Sequence, residues 1–127
     1  MTADAFSAAF AIAFGGQNAA TLAQILAEDA AVLTLTGHWA EGRDAAETAF
    51  AAEFSGTFSR SRLVGGKANL RRIGPGAAIL HQRFVLLGAL DVDGRELPRF
   101  SAMLTAFLVA RTEGWQALSL TFSPLSE

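Results

Sequence analysis

Few residues in this 127-residue chain are equipped for chemistry: cysteine and tyrosine are absent, and His38 and His81 are the two histidines. His81 and Arg83 stand two places apart in an apolar stretch, so on a β-strand their side chains share one face. An imidazole there can act as acid or base near neutral pH, and a guanidinium beside it can steady an anion or a developing oxyanion. His38 precedes Trp39 directly after Gly37, which pairs a titratable group with a broad apolar wall. His81 and His38 are therefore the catalytic candidates. The competing readings are structural: a rim position where Arg83 reaches water along its own stem, a turn histidine, and a core tryptophan.

Hairpin geometry extends the candidate set. If Asp93-Gly94 is a two-residue turn, Arg83 falls opposite Leu104 and His81 opposite Ala106. If Glu113-Gly114 is another, Ala106 falls opposite Thr121 and Leu108 opposite Ser119. These registers gather His81, Arg83, Val85, Leu104, Ala106, Trp115, Ser119 and Thr121 on one face, with Leu80, Gln82, Phe84, Met103 and Phe122 on the other. Trp39, Arg83, Leu104, Ala106, Trp115 and Ser119 then become the ligand-binding candidates around a small apolar molecule. A slip of one residue would send His81 to the opposite face.

Other chemistries find little support. With two histidines and no cysteine, a metal site would depend on distant carboxylates, and none is expected. The serines lie outside any G-x-S-x-G context, and neither G-x-G-x-x-G nor G-x-x-x-x-G-K-[ST] occurs, so no nucleotide cofactor is expected and none of another kind is implied. Arg43 reads as a counter-charge to Glu41 or Glu47 rather than as a catalytic group.

The elements that position these residues follow from periodicity. Phe6, Phe10 and Phe14 recur every four residues, which predicts a helix over 3–14 that Gly15-Gly16 ends. Asn18 is the expected N-cap of a second helix running to about Glu28. Residues 31–36 alternate as a strand closed by Gly37, and Asp44 with Glu47 forms a capping box ahead of Phe50, Phe54 and Phe58. Turn signals at Gly74-Pro75-Gly76, Asp93-Gly94 and Glu113-Gly114 separate expected strands at 62–73, 77–90, 97–111 and 115–122. Helices first and an antiparallel meander second make the class α+β, and the length suits one domain over 1–127. Neither sheet face is polar enough to stand wholly in water, which predicts a homodimer through part of the sheet.

Charge is unevenly spread. Residues 1–53 hold seven acids against the single base Arg43, while residues 54–90 hold Arg60, Arg62, Lys67, Arg71, Arg72 and Arg83 and no acid. No aromatic lies among the bases of 60–72, with Phe58 just ahead of them, so the stretch reads as a solvated edge hairpin rather than a nucleic-acid surface. Hydrophobic residues make up 51% of the chain, enough for one core, yet no apolar run approaches the ~20 residues of a membrane span. The first residues have no basic segment of a secretory signal, so a cytoplasmic location and no membrane partner are expected.

Three local patterns now combine. Leu26-Ala-Glu-Asp-Ala-Ala-Val-Leu33 leads into the first strand, Gly42-Arg43-Asp44-Ala45 opens the third helix, and Glu113-Gly-Trp115-Gln-Ala-Leu118 starts the last strand. Their order and spacing over nearly the whole chain resemble the SnoaL-like, SgcJ-type members of the nuclear-transport-factor-two-like superfamily, also termed ketosteroid-isomerase-like or cystatin-like. The resemblance implies a cone-shaped, curved antiparallel sheet wrapped around three N-terminal helices, enclosing a pocket and usually dimerising through the sheet. It also implies cofactor-independent cyclase, isomerase or hydratase chemistry on a small apolar substrate. The alternative is a non-catalytic ligand-binding or dimeric interaction module. Isomerases of this group use a tyrosine and an acid as oxyanion hole with a carboxylate base, and this chain has no tyrosine. Ala106 stands where many relatives carry an acid, which disfavours that particular reaction.

Overall fold

The computed structural model describes residues 1–126. Its first helix, α1 (Phe6–Gly15), buries Phe6, Phe10, Ala13 and Phe14 on one face, as their spacing requires. Asn18 caps α2 (Ala19–Gln24), its side chain accepting from the Thr21 N–H at 3.0 Å. The second helix is shorter than the sequence predicts, because Leu26 onward is taken up by a strand. That strand, β1 (Leu26–Leu33), pairs parallel with the last strand through Leu26 and Ala117. Partners far along the chain override a helical local preference here.

A turn closed by Gly37, at φ +89°, folds β1 back onto β2 (Trp39–Glu41). Helix α3 (Arg43–Phe54) follows. Its N-cap is Gly42, with no side-chain cap, so the expected Asp44–Glu47 capping box does not form. The helix starts two residues early, which places Asp44 inside the first turn, where its charge still favours the helix N-terminus. Phe58 lies beyond the helix end yet is buried by the turns that follow.

The remaining strands are β3 (Arg62–Arg72), β4 (Ala77–Leu87), β5 (Phe100–Arg111) and β6 (Gly114–Pro124). They form the expected meander within a curved, unclosed six-stranded sheet of order β2-β1-β6-β5-β4-β3. Only the β1–β6 junction is parallel among these pairings. The basic strand β3 is an edge, largely exposed along its length, so its charges are solvated and discourage pairing with another chain.

The β4–β5 register differs from the sequence expectation by one place, and the β5–β6 register by two places at its turn and one beyond a bulge. Between β4 and β5 the chain makes a wide connection rather than a two-residue turn: Leu90 bridges Glu96, and the Asp91 Oδ1 accepts from the N–H groups of Asp93 and Arg95, each at 2.9 Å. His81 therefore faces Thr105, and Arg83 faces Met103. The β5–β6 turn lies at Thr112-Glu113, between paired Arg111 and Gly114, and a bulge at Leu118 shifts the ladder again. Phe107 faces Ser119, and Thr105 faces Thr121.

The inner face of the sheet carries Ala78, Leu80, Phe84, Leu86, Ala102, Leu104, Ala106, Leu108, Leu120 and Phe122. Its alanines leave depth for the helical phenylalanines. Each buried phenylalanine contributes roughly 1.5–3 kcal/mol by leaving water. No helix among the described residues is long and apolar enough to cross a membrane.

Candidate functional site

The corrected registers divide the sequence-predicted set between two faces. His81, Arg83 and Ser119 are exposed on the outer face of the sheet, among Met103, Thr105, Phe107 and Thr121. Leu104 and Ala106 lie on the inner face, each fully buried. The grouping of His81 and Arg83 with Leu104 and Ala106 is thus overturned by one residue of register, because successive strand side chains alternate. Trp115 is half-buried at the start of β6, with the Arg72 guanidinium 5.9 Å from its ring centroid. Arg72 also bridges to Asp4 at 2.9 Å and so ties the edge strand to the start of α1.

His38 and Trp39 lie at the β1–β2 hairpin. Trp39 is 60% exposed rather than a core wall, since its pairing with Leu33 turns it to the outer face. Its Nε1 donates to Glu41 Oε1 at 3.1 Å. Arg43 does not balance Glu41 or Glu47 in an ion pair: its Nε and Nη2 donate to the Leu26 carbonyl at 2.9 and 2.7 Å. That contact satisfies a backbone acceptor where α2 gives way to β1.

Between helices and sheet, the space that would hold an apolar substrate is occupied by side chains. Phe6, Phe10, Phe14, Phe50, Phe54, Phe58, Phe84 and Phe122 are all buried there. Phe14 lies at its centre, with ring centroids 5.0 Å from Phe54, 5.4 Å from Phe122, 5.6 Å from Phe58 and 5.8 Å from Phe10. The Phe54 and Phe122 contacts are edge-to-face, the arrangement that aligns a ring's positive edge with its neighbour's negative face.

Polar groups in this interior are few. Gln82 is buried and fully engaged: its Oε1 accepts from the Ser7 hydroxyl at 2.6 Å, and its Nε2 donates to the carbonyls of Gly66 and Arg83, each at 2.9 Å. Glu53 differs. It is only 5% exposed, in the last turn of α3. Its Oε2 accepts from the Thr36 N–H at 3.2 Å and from the Thr36 hydroxyl. Its Oε1 is buried with no hydrogen-bond partner among the described residues. Glu53 forms part of the wall of a recess with Thr36, His38, Ala52, Gly56 and Thr57.

This carboxyl group is absent from the sequence-predicted set, although a signal for it existed. Ala46, Phe50, Glu53 and Phe54 form one buried helix face, so an acid interrupts an apolar stripe. The recess brings His38 together with Glu53 and two threonine hydroxyls, a group able to bind or exchange protons with a small polar molecule. No cluster of three or more metal-ligating side chains occurs among the described residues.

No family model matches the sequence, and no curated protein matches it. Solved structures do resemble it in fold. An uncharacterised protein with a cystatin-like fold from Caulobacter vibrioides superposes with a TM-score of 0.87 at 23% identity, covering 97% of this chain and 87% of that one. A candidate aromatic ring hydroxylase from Novosphingobium aromaticivorans gives 0.82 at 16% identity, covering 98% and 87%. A candidate dehydratase of the NTF2-like family from Streptomyces avermitilis gives 0.79 at 14% identity, covering 98% and 94%. With helices sheltered by a curved, unclosed sheet and these neighbours in common, the chain has a cystatin-like fold.

Proposed function

We propose that this chain works as a sheet-to-sheet homodimer with a closed aromatic interior, a non-catalytic interaction or binding module. The observation that carries this reading is the packing around Phe14, which fills the volume where an apolar substrate would sit. Apolar burial is then left to the outer face, where Leu33, Trp39, Ile79, Val85, Met103 and Phe107 are only partly covered or exposed.

Charge selects the occupant of that face. One row of cross-strand pairs runs Glu41, Ala31, Ser119, Phe107, Ile79, Arg71 from edge to edge. It is acidic at β2, apolar in the middle and basic at β3. A twofold axis parallel to the strands would lay the β2 edge of one copy over the β3 edge of the other, setting Glu41 against the basic edge, with Phe107 over Ser119 at the centre and Ile79 over Ala31 beside it. Such an arrangement is self-complementary, as a twofold interface must be. Sedimentation tests it: a dimer is expected at micromolar concentration, and a strict monomer at high concentration overturns the reading.

A second reading is supported by the presence of His38 and Glu53 in one recess and by the neighbour described as a candidate dehydratase. Here the chain would carry out cofactor-independent cyclase, isomerase or hydratase chemistry on a small molecule at the recess, with His38 or Glu53 moving a proton. Native mass spectrometry of the purified chain, followed by incubation of any retained compound, separates the two. Turnover of that compound favours the second reading; its recovery unchanged favours the first.

A further inference from the structure

We propose that the groove passing over Gly56 and Thr57 binds a small organic cation, a primary ammonium, which donates to the unpartnered Glu53 Oε1. The inference is independent of dimer formation. Gln82 has partners for both its side-chain oxygen and its nitrogen, whereas the Glu53 Oε1 has none among the described residues although Glu53 is only 5% exposed. A buried acceptor of this kind is costly unless a donor reaches it.

Three further features specify the donor. The recess beside Glu53 adjoins a second one, since Gly56 and Thr57 line both, and the second is walled by Leu90, Asp91 and Val92. The two recesses thus carry the carboxyl groups of Glu53 and Asp91 and no lysine or arginine. Glu53 also lies in the last turn of α3, which contains no basic residue, so the negative end of the helix dipole adds to the carboxylate. Anionic ligands are disfavoured by all three. A primary ammonium, compact and with several N–H donors, suits them, and Leu90 with the fully exposed Val92 offers apolar surface to its alkyl part. The terminal torsion of a glutamate is soft, so a small rotation of the carboxyl group can bring Oε1 toward the groove.

The probe is n-butylammonium, with sodium butyrate and n-butanol as partners of matched size, each titrated into the isotopically labelled full chain and followed by amide NMR. Saturable shifts at Thr36, His38, Gly56 and Thr57 with n-butylammonium alone are expected, and Glu53→Gln should weaken that binding about tenfold or more. Equal shifts with butyrate or butanol, no saturable shift with n-butylammonium, or undiminished affinity in a folded Glu53→Gln chain would overturn the proposal. A single slowly exchanging water at Glu53, unaffected by n-butylammonium, would overturn it as well. Should Glu53→Gln fail to fold, the discrimination among the three probes by the unaltered chain decides the matter.

Discussion

Glu41 and Arg71 terminate the same row of cross-strand pairs, one on each edge of the six-stranded sheet. Opposite charges so placed are too distant to attract one another within a protomer, but a twofold axis parallel to the strands would bring the two edges together. Reversing either charge, Glu41→Arg or Arg71→Glu, should weaken the dimer several-fold, given about 0.2–1 kcal/mol per exposed pair and two pairs per interface. The double reversal should restore most of the loss, and salt should erase the difference. Sedimentation at low and high ionic strength checks all three.

At the middle of that row, Phe107 is half-buried on the outer face, between Ile79 and Ser119. Phe107→Asp should give a folded monomer, because a charge at the centre of an apolar contact costs about 2 kcal/mol or more of association while the free sheet leaves it in water. Loss of helical and sheet circular dichroism together with loss of the dimer would count against an interface role.

The interior prediction concerns Phe14, whose ring meets four other phenylalanines. Phe14→Ala should cost about 3–5 kcal/mol in urea denaturation, the cost of a large cavity in a packed core. Benzene should stabilise this variant and leave the unaltered chain unmoved, since only the variant has an apolar void to fill. Benzene stabilisation of the unaltered chain would show that a cavity is already present.

Arg43 offers a separate test of backbone satisfaction. Its two donors to the Leu26 carbonyl are removed in Arg43→Met, which should destabilise the chain by about 1–3 kcal/mol. Arg43→Lys should recover only part of this, because an ammonium lacks the planar fork that places two N–H groups on one oxygen. Thermal unfolding of the three chains gives the comparison.

Thr36→Val tests the contact that holds the buried Glu53. Both its N–H and hydroxyl serve Glu53, and the variant removes the hydroxyl alone. A loss of about 1–3 kcal/mol is expected from the carboxyl group left short of donors, with Thr36→Ser close to the unaltered chain. Denaturation midpoints read it directly.

By itself, the sequence determined the order of elements apart from the short strand β2, the phenylalanine stripes and the segregation of acid from base. Phe6, Phe10 and Phe14 mark one helix face and Phe50 with Phe54 another because the helix period is local, and the turn at Gly74-Pro75-Gly76 needs no distant partner. Which face each strand residue occupies was decided only in three dimensions. The wide Asp91–Arg95 connection and the bulge at Leu118 each move the ladder by one place, and a period of two turns that single step into an exchange of faces. Hence His81 and Arg83 part from Leu104 and Ala106, although their types and spacing suggested one cluster. Glu53 makes the same point from a helix: its place in an apolar stripe is local, whereas its burial, its bond to Thr36 and its lone oxygen depend on the β1–β2 turn packing over α3. The charge asymmetry read along the chain likewise became a surface property only when β2 and β3 were set at opposite edges of one sheet.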